Sequence, residues 1–289
     1  MKTITIGDRA VGPGEPTFVV AEIGINHNGS VETAKRLIEV AKSAGCDAVK
    51  FQKRTIDVVY SPEDLARPRE NPFGTTNGDL KRALEFGYAE YAEIHRYCQS
   101  IGILWFASCW DKGSVDFIEQ FTPPCYKIAS PCLTDDDLLR HHQRTGRPVV
   151  LSTGMSTIEQ IDHAVEVLGH ENLILLHCTS TYPANLEELN LRVIPTLLSR
   201  YDVPVGYSGH EVLVYTTLAA VVLGACLVER HVTLSRAMWG SDQAASIETQ
   251  GINKLVGYIR STEVALGDSV KRVVAREVDV MKKMRRVSG

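Results

Sequence analysis

Two histidines, His210 and His231, each close an apolar stretch of the chain, 203–207 for the first and 225–232 for the second. Between them, residues 213–224 are apolar and stop at Gly224, the pattern of a buried helix ended by glycine. The segment reads strand, helix, strand. In a parallel sheet a right-handed helical crossover returns the chain to the same edge, so both imidazoles would emerge on one face. Neutral imidazole is a ligand for divalent metals, and two of them leave coordination positions open for water or a substrate. The competing reading has each histidine hydrogen-bonding a neighbouring loop. Glu229 and Asp242, near in the chain, keep the metal reading open beside it.

The elements that must hold this pair recur along the whole chain. Apolar runs marked by Phe18, Ala48, Leu104, Cys125, Val149, Ile174, Val205 and Cys226 alternate with helical patterns at 31–44, 88–101, 112–121, 135–145, 158–168, 190–200, 213–224 and 249–266. Ser30 is placed to cap the first of these helices. Eight such units predict a TIM (β/α)8 barrel. An open doubly wound sheet is the alternative, but it expects a glycine-rich phosphate loop that this chain does not carry. The amino end predicts a short strand and a Gly/Pro turn before the buried strand 17–23, a hairpin capping one end of the barrel. Over 54–81 the periodicity gives way to Pro, Asn, Gly and mixed charge, which predicts an excursion lying over a site as a lid.

In a barrel the strand ends and the loops after them form the active face. That selects Glu22, Asn26 and His27 after the first strand, Lys50 and Gln52 after the second, and Ser108 after the third. Lys127 and Ser130 follow the fourth, Ser152 and Thr153 the fifth, Thr179 and Tyr182 the sixth, Ser208 and His210 the seventh, and His231 the eighth. Two lysines among several hydroxyls suit a phosphate or a carboxylate, whose oxygens they satisfy.

Composition narrows the function classes. A chain of 289 residues, 44% apolar and 23% charged, is long enough for one large barrel. Its net charge of −4, with Lys and Arg scattered, offers no basic field for nucleic acid. The seven cysteines are dispersed, with no CxxC pair and no secretory segment, which suits reduced thiols in a cytoplasm. The longest apolar run, 218–228, falls well short of the roughly twenty residues of a membrane span and reads as core.

The motifs AEIGINHNG, VKFQ, YKIAS, LSTGM, HCTSTYP, NLRVI, GYSGH and ERHVTL followed by GSD stand in this order from about residue 15 to about residue 266. In them the chain resembles the sialic acid (N-acetylneuraminate) synthase family. The resemblance implies a barrel domain over 1–270 with a tail at 271–289. It also implies a dimer, and an enzyme that condenses phosphoenolpyruvate with an open-chain aldose, releasing phosphate and making a 2-keto-3-deoxy sugar acid. Carried over by motif, His210 and His231 fall on ligands for a divalent metal, manganese or magnesium. Lys50, Ser108, Lys127, Ser130, Ser152 and Ser208 fall on positions that hold phosphoenolpyruvate, and Gln52 is expected to bind substrate beside them. Glu22, Tyr182 and Asp242 fall where the family faces the sugar or the reacting centre, Glu22 as a group able to move a proton. A metal-dependent barrel aldolase or isomerase, or a catalytically silent homologue, are the alternatives.

The resemblance breaks at three places. Ala129, Ser130, Pro131, Cys132, Leu133, Thr134 and Asp135 stand where the family carries Gly-Ser-Gly, an acid and two asparagines, so the acidic contact to the sugar is missing. Gln243 replaces a histidine of many members. The chain stops at KKMRRVSG, about where an antifreeze-like domain would begin, as in a short form of the family. Sugar hydroxyls left unpaired should cost discrimination. In a side-by-side acceptor screen N-acetylmannosamine should be a poor acceptor and a smaller or less acetylated aldose a better one. A rate with N-acetylmannosamine that no other aldose exceeds would refute this.

Overall fold

Side chains on a strand alternate faces, so a closed barrel sorts every strand into lumen-facing and helix-facing residues. The structure is a computed structural model that describes residues 2–287. The barrel strands are β1 (Phe18–Gly24), β2 (Ala48–Lys53), β3 (Leu104–Cys109), β4 (Tyr126–Ile128), β5 (Val149–Ser152), β6 (Leu173–Cys178), β7 (Val205–Gly209) and β8 (Leu227–Thr233). Each pairs in parallel with the next. β8 returns to β1, with Leu227 opposite Phe18 and His231 opposite Glu22, which closes the barrel. The helices between are α1 (Val31–Ala44), α2 (Tyr88–Ile101), α3 (Lys112–Glu119), α4 (Asp136–Arg144), α5 (Ile158–Leu168), α6 (Val193–Arg200), α7 (Tyr215–Val222) and α8 (Thr249–Leu266). The expected (β/α)8 alternation is therefore the observed fold. Ser30 does cap α1, accepting from the Thr33 amide at 3.2 Å.

One face of each strand fills the lumen. Phe18, Val20, Ala48, Phe106, Cys125, Val150, Ile174, Leu176 and Leu227 form a single apolar cluster, with Leu104 packed against it. Gly206 shares this parity, and a Cβ there would stand 2.3 Å from the Leu227 carbonyl oxygen, so only glycine permits this approach of β7 to β8. The opposite parity, including Val19, Ala21, Val49, Phe51 and Leu151, packs against Leu37, Ile38 and the other helix residues of a second cluster. Two residues further along the lumen parity, every strand turns polar or small. That change positions the site.

Three parts of the chain differ from expectation. The amino-terminal hairpin exists, Ile4–Ile6 against Arg9–Val11, and Ile4, Ile6 and Val11 plug the lumen cluster. Its reversal falls at Gly7 and Asp8, however, because Gly7 supplies the left-handed φ of +64°, and the Gly/Pro stretch lies beyond the second strand. The 54–81 excursion is not irregular. It carries helices Ile56–Val59, Pro62–Ala66 and Asn77–Ala83 and a hairpin, Pro68–Asn71 with Gly74–Thr76. These elements are too short for periodicity to reveal, and local caps hold them: Ser61 ahead of Pro62, and the Thr76–Asp79 capping box. Beyond α8 an unexpected helix, Glu277–Met284, buries no residue, and the tail's Ser288 and Gly289 lie outside the described residues. All seven cysteines are free and buried. Among the described residues no helix is long and apolar enough to cross a membrane.

The lumen cluster supports the polar layer above it. Phe106→Ala, at a fully buried lumen position, should destabilise the fold by about 3–5 kcal/mol in urea denaturation. A loss under ~1 kcal/mol would mean the lumen collapses around the cavity.

Candidate active site

The polar layer opens at the carboxyl ends of the strands into a cavity of about 330 Å³. Its floor is built by strand parity. Glu22, Lys50, Ser108, Lys127, Ser152, Ser208 and Glu229 all continue lumen-facing rows, and all line the cavity. Lys50 Nζ sits 2.7 Å from Glu22 Oε2 and 3.7 Å from Glu229 Oε1, and donates to Ser108 Oγ at 2.6 Å. Lys127 Nζ donates to Ser152 Oγ at 2.6 Å and to the Ile128 carbonyl at 3.0 Å. Ser208 donates to Glu229 Oε1 at 3.1 Å, and Gln52 Nε2 to Glu22 Oε1 at 2.9 Å. Ser130 Oγ accepts from the Gly154 amide at 3.1 Å and also lines the cavity.

Burial sets the charges. Lys50 and Lys127 are only 3% and 2% exposed. Burial pushes the Glu22 carboxyl up to about 7; the Lys50 ammonium opposes the shift and the Glu229 carboxylate adds to it. Burial acts on Glu229 too, but Lys50 and Lys127 outweigh it, and its carboxyl ends below the ordinary range. Burial lowers Lys127 against the pull of Glu229. For Lys50 it is overcome by Glu22 and Glu229, and the ammonium is held more firmly than usual. Two carboxyls beside one ammonium thus divide into an ionised Glu229 and a Glu22 that can carry a proton near neutral pH.

The histidines meet on the wall. The His210 and His231 rings lie 5.5 Å apart, and the Tyr182 ring lies 4.1 Å from His210 and edge-on to His231 at 5.7 Å. His210 Nδ1 is 2.6 Å from the Thr179 carbonyl oxygen. A carbonyl can only accept, so the proton is on Nδ1 and Nε2 presents its lone pair. Burial, then the neighbouring His231, lowers His210 to about 4; burial also lowers His231 against the attraction of Asp242. Both rings are neutral at ordinary pH. Asp242 Oδ2 lies 3.7 Å from His231 Nδ1, which is buried and without a hydrogen-bond partner. The loop-bonding reading therefore describes one nitrogen of His210 and leaves His231 unexplained. Among the described residues no third His, Cys, Asp or Glu joins the pair in a closed metal cage.

Four rim candidates are structural instead. Asn26 is buried and donates to the Val232 carbonyl at 2.9 Å and to Ser246 Oγ at 2.7 Å. His27 stacks on Phe86 at 4.0 Å. Thr153 and Thr179 give their hydroxyls to the carbonyls of Leu176 and Glu188. Of the residues that break the family pattern, Pro131 lines the cavity, but Cys132 packs into the apolar core, so its thiol does not stand where an acid would grip a sugar. Gln243 is buried, accepts from the Thr233 hydroxyl and donates to the Asn26 carbonyl at 3.4 Å, fixing the turn after Asp242.

Other lining residues were not among the expected ones. Glu229, noted only as a sequence neighbour of His231, shares the floor; its signal is parity, two residues before His231. Arg54, Tyr60, Lys81 and Trp110 also line the cavity. The excursion's fold, which no sequence pattern marks, brings Tyr60 and Lys81 there, whereas Arg54 and Trp110 directly follow the ends of β2 and β3, where the strand-end rule could have found them.

A closed parallel barrel with a lysine pair, a histidine pair and a proton-bearing carboxyl at the carboxyl ends of its strands has the site of a TIM-barrel enzyme acting on an anionic substrate. The comparisons agree. The sequence matches the NeuB family over residues 37–271. The chain is 37% identical over 281 residues to human N-acetylneuraminate-9-phosphate synthase, covering 96% of this chain and 78% of that one. It is 32% identical over 290 residues to the N,N'-diacetyllegionaminic acid synthase of Legionella pneumophila, covering 97% and 82%. A solved sialic acid synthetase from Leptospira borgpetersenii superposes with a TM-score of 0.86 at 30% identity, covering 99% and 98%. A truncated 3-deoxy-D-arabino-heptulosonate 7-phosphate synthase from Thermotoga maritima, at 16% identity and a TM-score of 0.73, shares the fold. The chain belongs to the NeuB family, and it is an enzyme that condenses phosphoenolpyruvate with a sugar to give a keto-deoxy sugar acid.

The divided carboxyl pair is directly observable. In difference infrared spectra of the wild type against Glu22→Gln, a protonated-carboxyl band should vanish as pH rises through about 7. A band already gone at pH 5 would show Glu22 ionised and the division absent.

Proposed function

We propose that this site binds phosphoenolpyruvate on its floor, through Lys50 and Lys127, and an open-chain aldose across the wall of His210, His231 and Tyr182. The observation that carries the reading is the gathering, in one cavity, of two buried ammonium groups with hydroxyl partners and a neutral histidine pair. The donor carries a carboxylate and a phosphate, and two desolvated ammonium groups flanked by Ser108, Ser152, Ser130 and Ser208 satisfy both anions by charge-assisted bonds.

The reaction joins the methylene carbon of phosphoenolpyruvate to the aldehyde carbon. The aldehyde oxygen takes a proton and becomes a hydroxyl. Water adds at the enol carbon and gives up one proton, which balances the one taken by the aldehyde oxygen; the bond from that carbon to the phosphate oxygen then breaks and the departing phosphate takes the second proton, leaving a ketone and free phosphate. Glu22 is the group to move a proton at neutral pH, since burial and Glu229 keep its carboxyl poised there while Lys50 and Gln52 fix its direction. Ionised Glu229 holds Lys50 and Ser208 in place and favours positive charge developing at the enol carbon. The Tyr182 ring lies tilted against His210 at 4.1 Å and covers that part of the wall.

The residues present fit a divalent cation, manganese or magnesium. His210 offers a free Nε2 lone pair, His231 keeps a buried nitrogen unpaired, and Asp242 stands beside it. Such an ion, when bound, polarises the aldehyde as a Lewis acid. The barrel as residues 1–270 with a tail at 271–289, a cytoplasmic location and a homodimer complete the reading; sedimentation measures the last.

Phosphate release from phosphoenolpyruvate across a panel of aldoses tests the reaction, and release with none of them would overturn it. Lys127→Met should weaken phosphoenolpyruvate binding by about 2 kcal/mol, roughly thirtyfold, in calorimetry, with little change for the acceptor. Unchanged donor affinity would remove Lys127 from the donor site. Separately, electron paramagnetic resonance should show Mn²⁺ bound to the wild type and released in His210→Ala and His231→Ala, with circular dichroism unchanged. Retention of Mn²⁺ by both variants would place the metal elsewhere.

A further inference from the structure

We propose that Arg230 and Glu211 are positioning residues for the histidine pair. Buried behind His210 and His231, they fix the separation of the two imidazoles and so set how tightly the wall holds a divalent cation. The inference rests on the reading of these histidines as metal ligands and adds the residues that hold them as a pair.

The need for such a device lies in the sheet. His231 is inside β8 and stands opposite Glu22 of β1, so strand pairing fixes its height. His210 is placed differently. The pairing of β7 with β8 ends at Gly209 and Arg230, and His210 is the next residue beyond β7. Its hydrogen bonds run away from β8: Nδ1 donates to the Thr179 carbonyl at 2.6 Å, and its own carbonyl accepts from the Ala184 amide at 3.2 Å, both in the segment after β6. One imidazole therefore stands on the paired strands and the other just past their end.

Arg230 supplies the missing tie. Neighbours on a strand face opposite ways, so while His231 faces the cavity, the Arg230 side chain lies on the helix side. There Nη2 donates to the Glu211 carbonyl, and Nη1 donates to the Leu213 carbonyl at 3.0 Å and to Thr217 Oγ1 at 2.6 Å. The Glu211 carboxylate meets the same Nη1 at 3.0 Å and accepts from the Tyr207 and Thr216 hydroxyls. A guanidinium presents its donors in a rigid fork, which sets the direction as well as the distance of whatever it grips. Two of its acceptors are backbone carbonyls of the loop directly after His210, so the grip is on the chain that carries the imidazole.

The competing reading is that the pair serves the fold by anchoring α7, which contains Thr217 and whose N-cap, Val214, gives no side-chain bond. Energetics argues against stability as its use. Arg230 and Glu211 are each 1% exposed, and desolvating two such charges offsets their attraction, so apolar residues of similar size in both places hold a fold about as well. What apolar residues lack is direction. Ligands already at the binding separation give up no freedom when a cation arrives, and loss of the groups that orient metal ligands typically costs about 10–100-fold in metal affinity.

The test is Mn²⁺ titration of the full chain, followed by electron paramagnetic resonance, with thermal melting alongside. In the double variant Glu211→Leu/Arg230→Met neither charge is left buried without its partner. It should melt close to the wild type and yet bind Mn²⁺ at least about tenfold more weakly. Arg230→Lys, which keeps the charge but not the fork, should fall between the two. Thr217→Val and Tyr207→Phe each remove one bond from the network at nearly constant volume; they carry the test if the double variant does not fold, and each should weaken Mn²⁺ binding severalfold. Nitrogen-15 NMR of the metal-free chain reads His210 directly. Its Nδ1–H signal, protected by the Thr179 carbonyl in the wild type, should shift or broaden in the variants while the amide signals of β1 to β5 stay in place. Unchanged Mn²⁺ affinity in the folded variants, or affinity lost only in step with melting temperature, would overturn the proposal. Retention of Mn²⁺ by His210→Ala and His231→Ala would overturn the metal reading instead, and the imidazole signal would still decide whether the pair positions His210.

Discussion

Everything in this protein is arranged around charges withdrawn from water. Glu22, Lys50, Lys127 and Glu229 are each at most 4% exposed, at the top of a barrel lumen whose lower layers are apolar. Any one of them alone would be costly to bury, and the effective penalty is several kcal/mol for each ion. Together they compensate one another: an ammonium between two carboxyls, a second ammonium on a hydroxyl and a carbonyl. The compensation is incomplete, which makes the layer reactive. One carboxyl retains a proton near neutral pH, and one ammonium has no carboxylate of its own.

Such a layer works only if its members cannot move apart. The hairpin plugs the far end of the lumen, and the apolar layers between fix the height of each strand. Behind the histidines a second buried pair does the same for the wall. Arg230 and Glu211, the residues next in the chain to His231 and His210, meet at 3.0 Å and are each 1% exposed. Arg230 also donates to Thr217 Oγ1 at 2.6 Å and to the Leu213 carbonyl at 3.0 Å, and Tyr207 donates to Glu211 at 2.9 Å. Because strand neighbours face opposite ways, this network lies outside the lumen while its neighbours face the cavity. It holds the seventh and eighth strand ends at a fixed spacing, and with them the two imidazoles.

The order of the barrel and most of its floor were legible in the chain. Apolar runs alternating with helical periods count to eight wherever an element is long enough to show its period, and strand ends mark the active face of any barrel. That is why Lys50, Lys127, His210 and His231 could be named, and why all of them line one cavity. Strand parity carries the same information more finely. It would have added Glu229, two residues before His231. It says nothing of Asn26 and His27, which lie beyond the end of β1, where the chain turns them inward to bond Ser246 and stack on Phe86.

What the tertiary structure decided is what depends on distance in space rather than along the chain. The sequence shows two glutamates and two lysines, but which carboxyl keeps its proton depends on which charges fold around each: Lys50 is nearer to Glu22, at 2.7 Å against 3.7 Å, yet Glu229 feels Lys127 as well, while Glu22 faces the Glu229 charge. Nor could Cys132 be told from Pro131 as a cavity residue, since a single turn, Ser130–Cys132, points one inward to the core and leaves the other on the wall. The excursion at 54–81 is the clearest case. Its helices and hairpin are held by caps and by contacts within the segment, below the length at which periodicity speaks. Only its folded path brings Lys81 to the cavity and leaves Arg82 paired elsewhere. Periodicity is a property of the chain, whereas the charge a cavity offers its ligand is a sum over residues that only folding brings together.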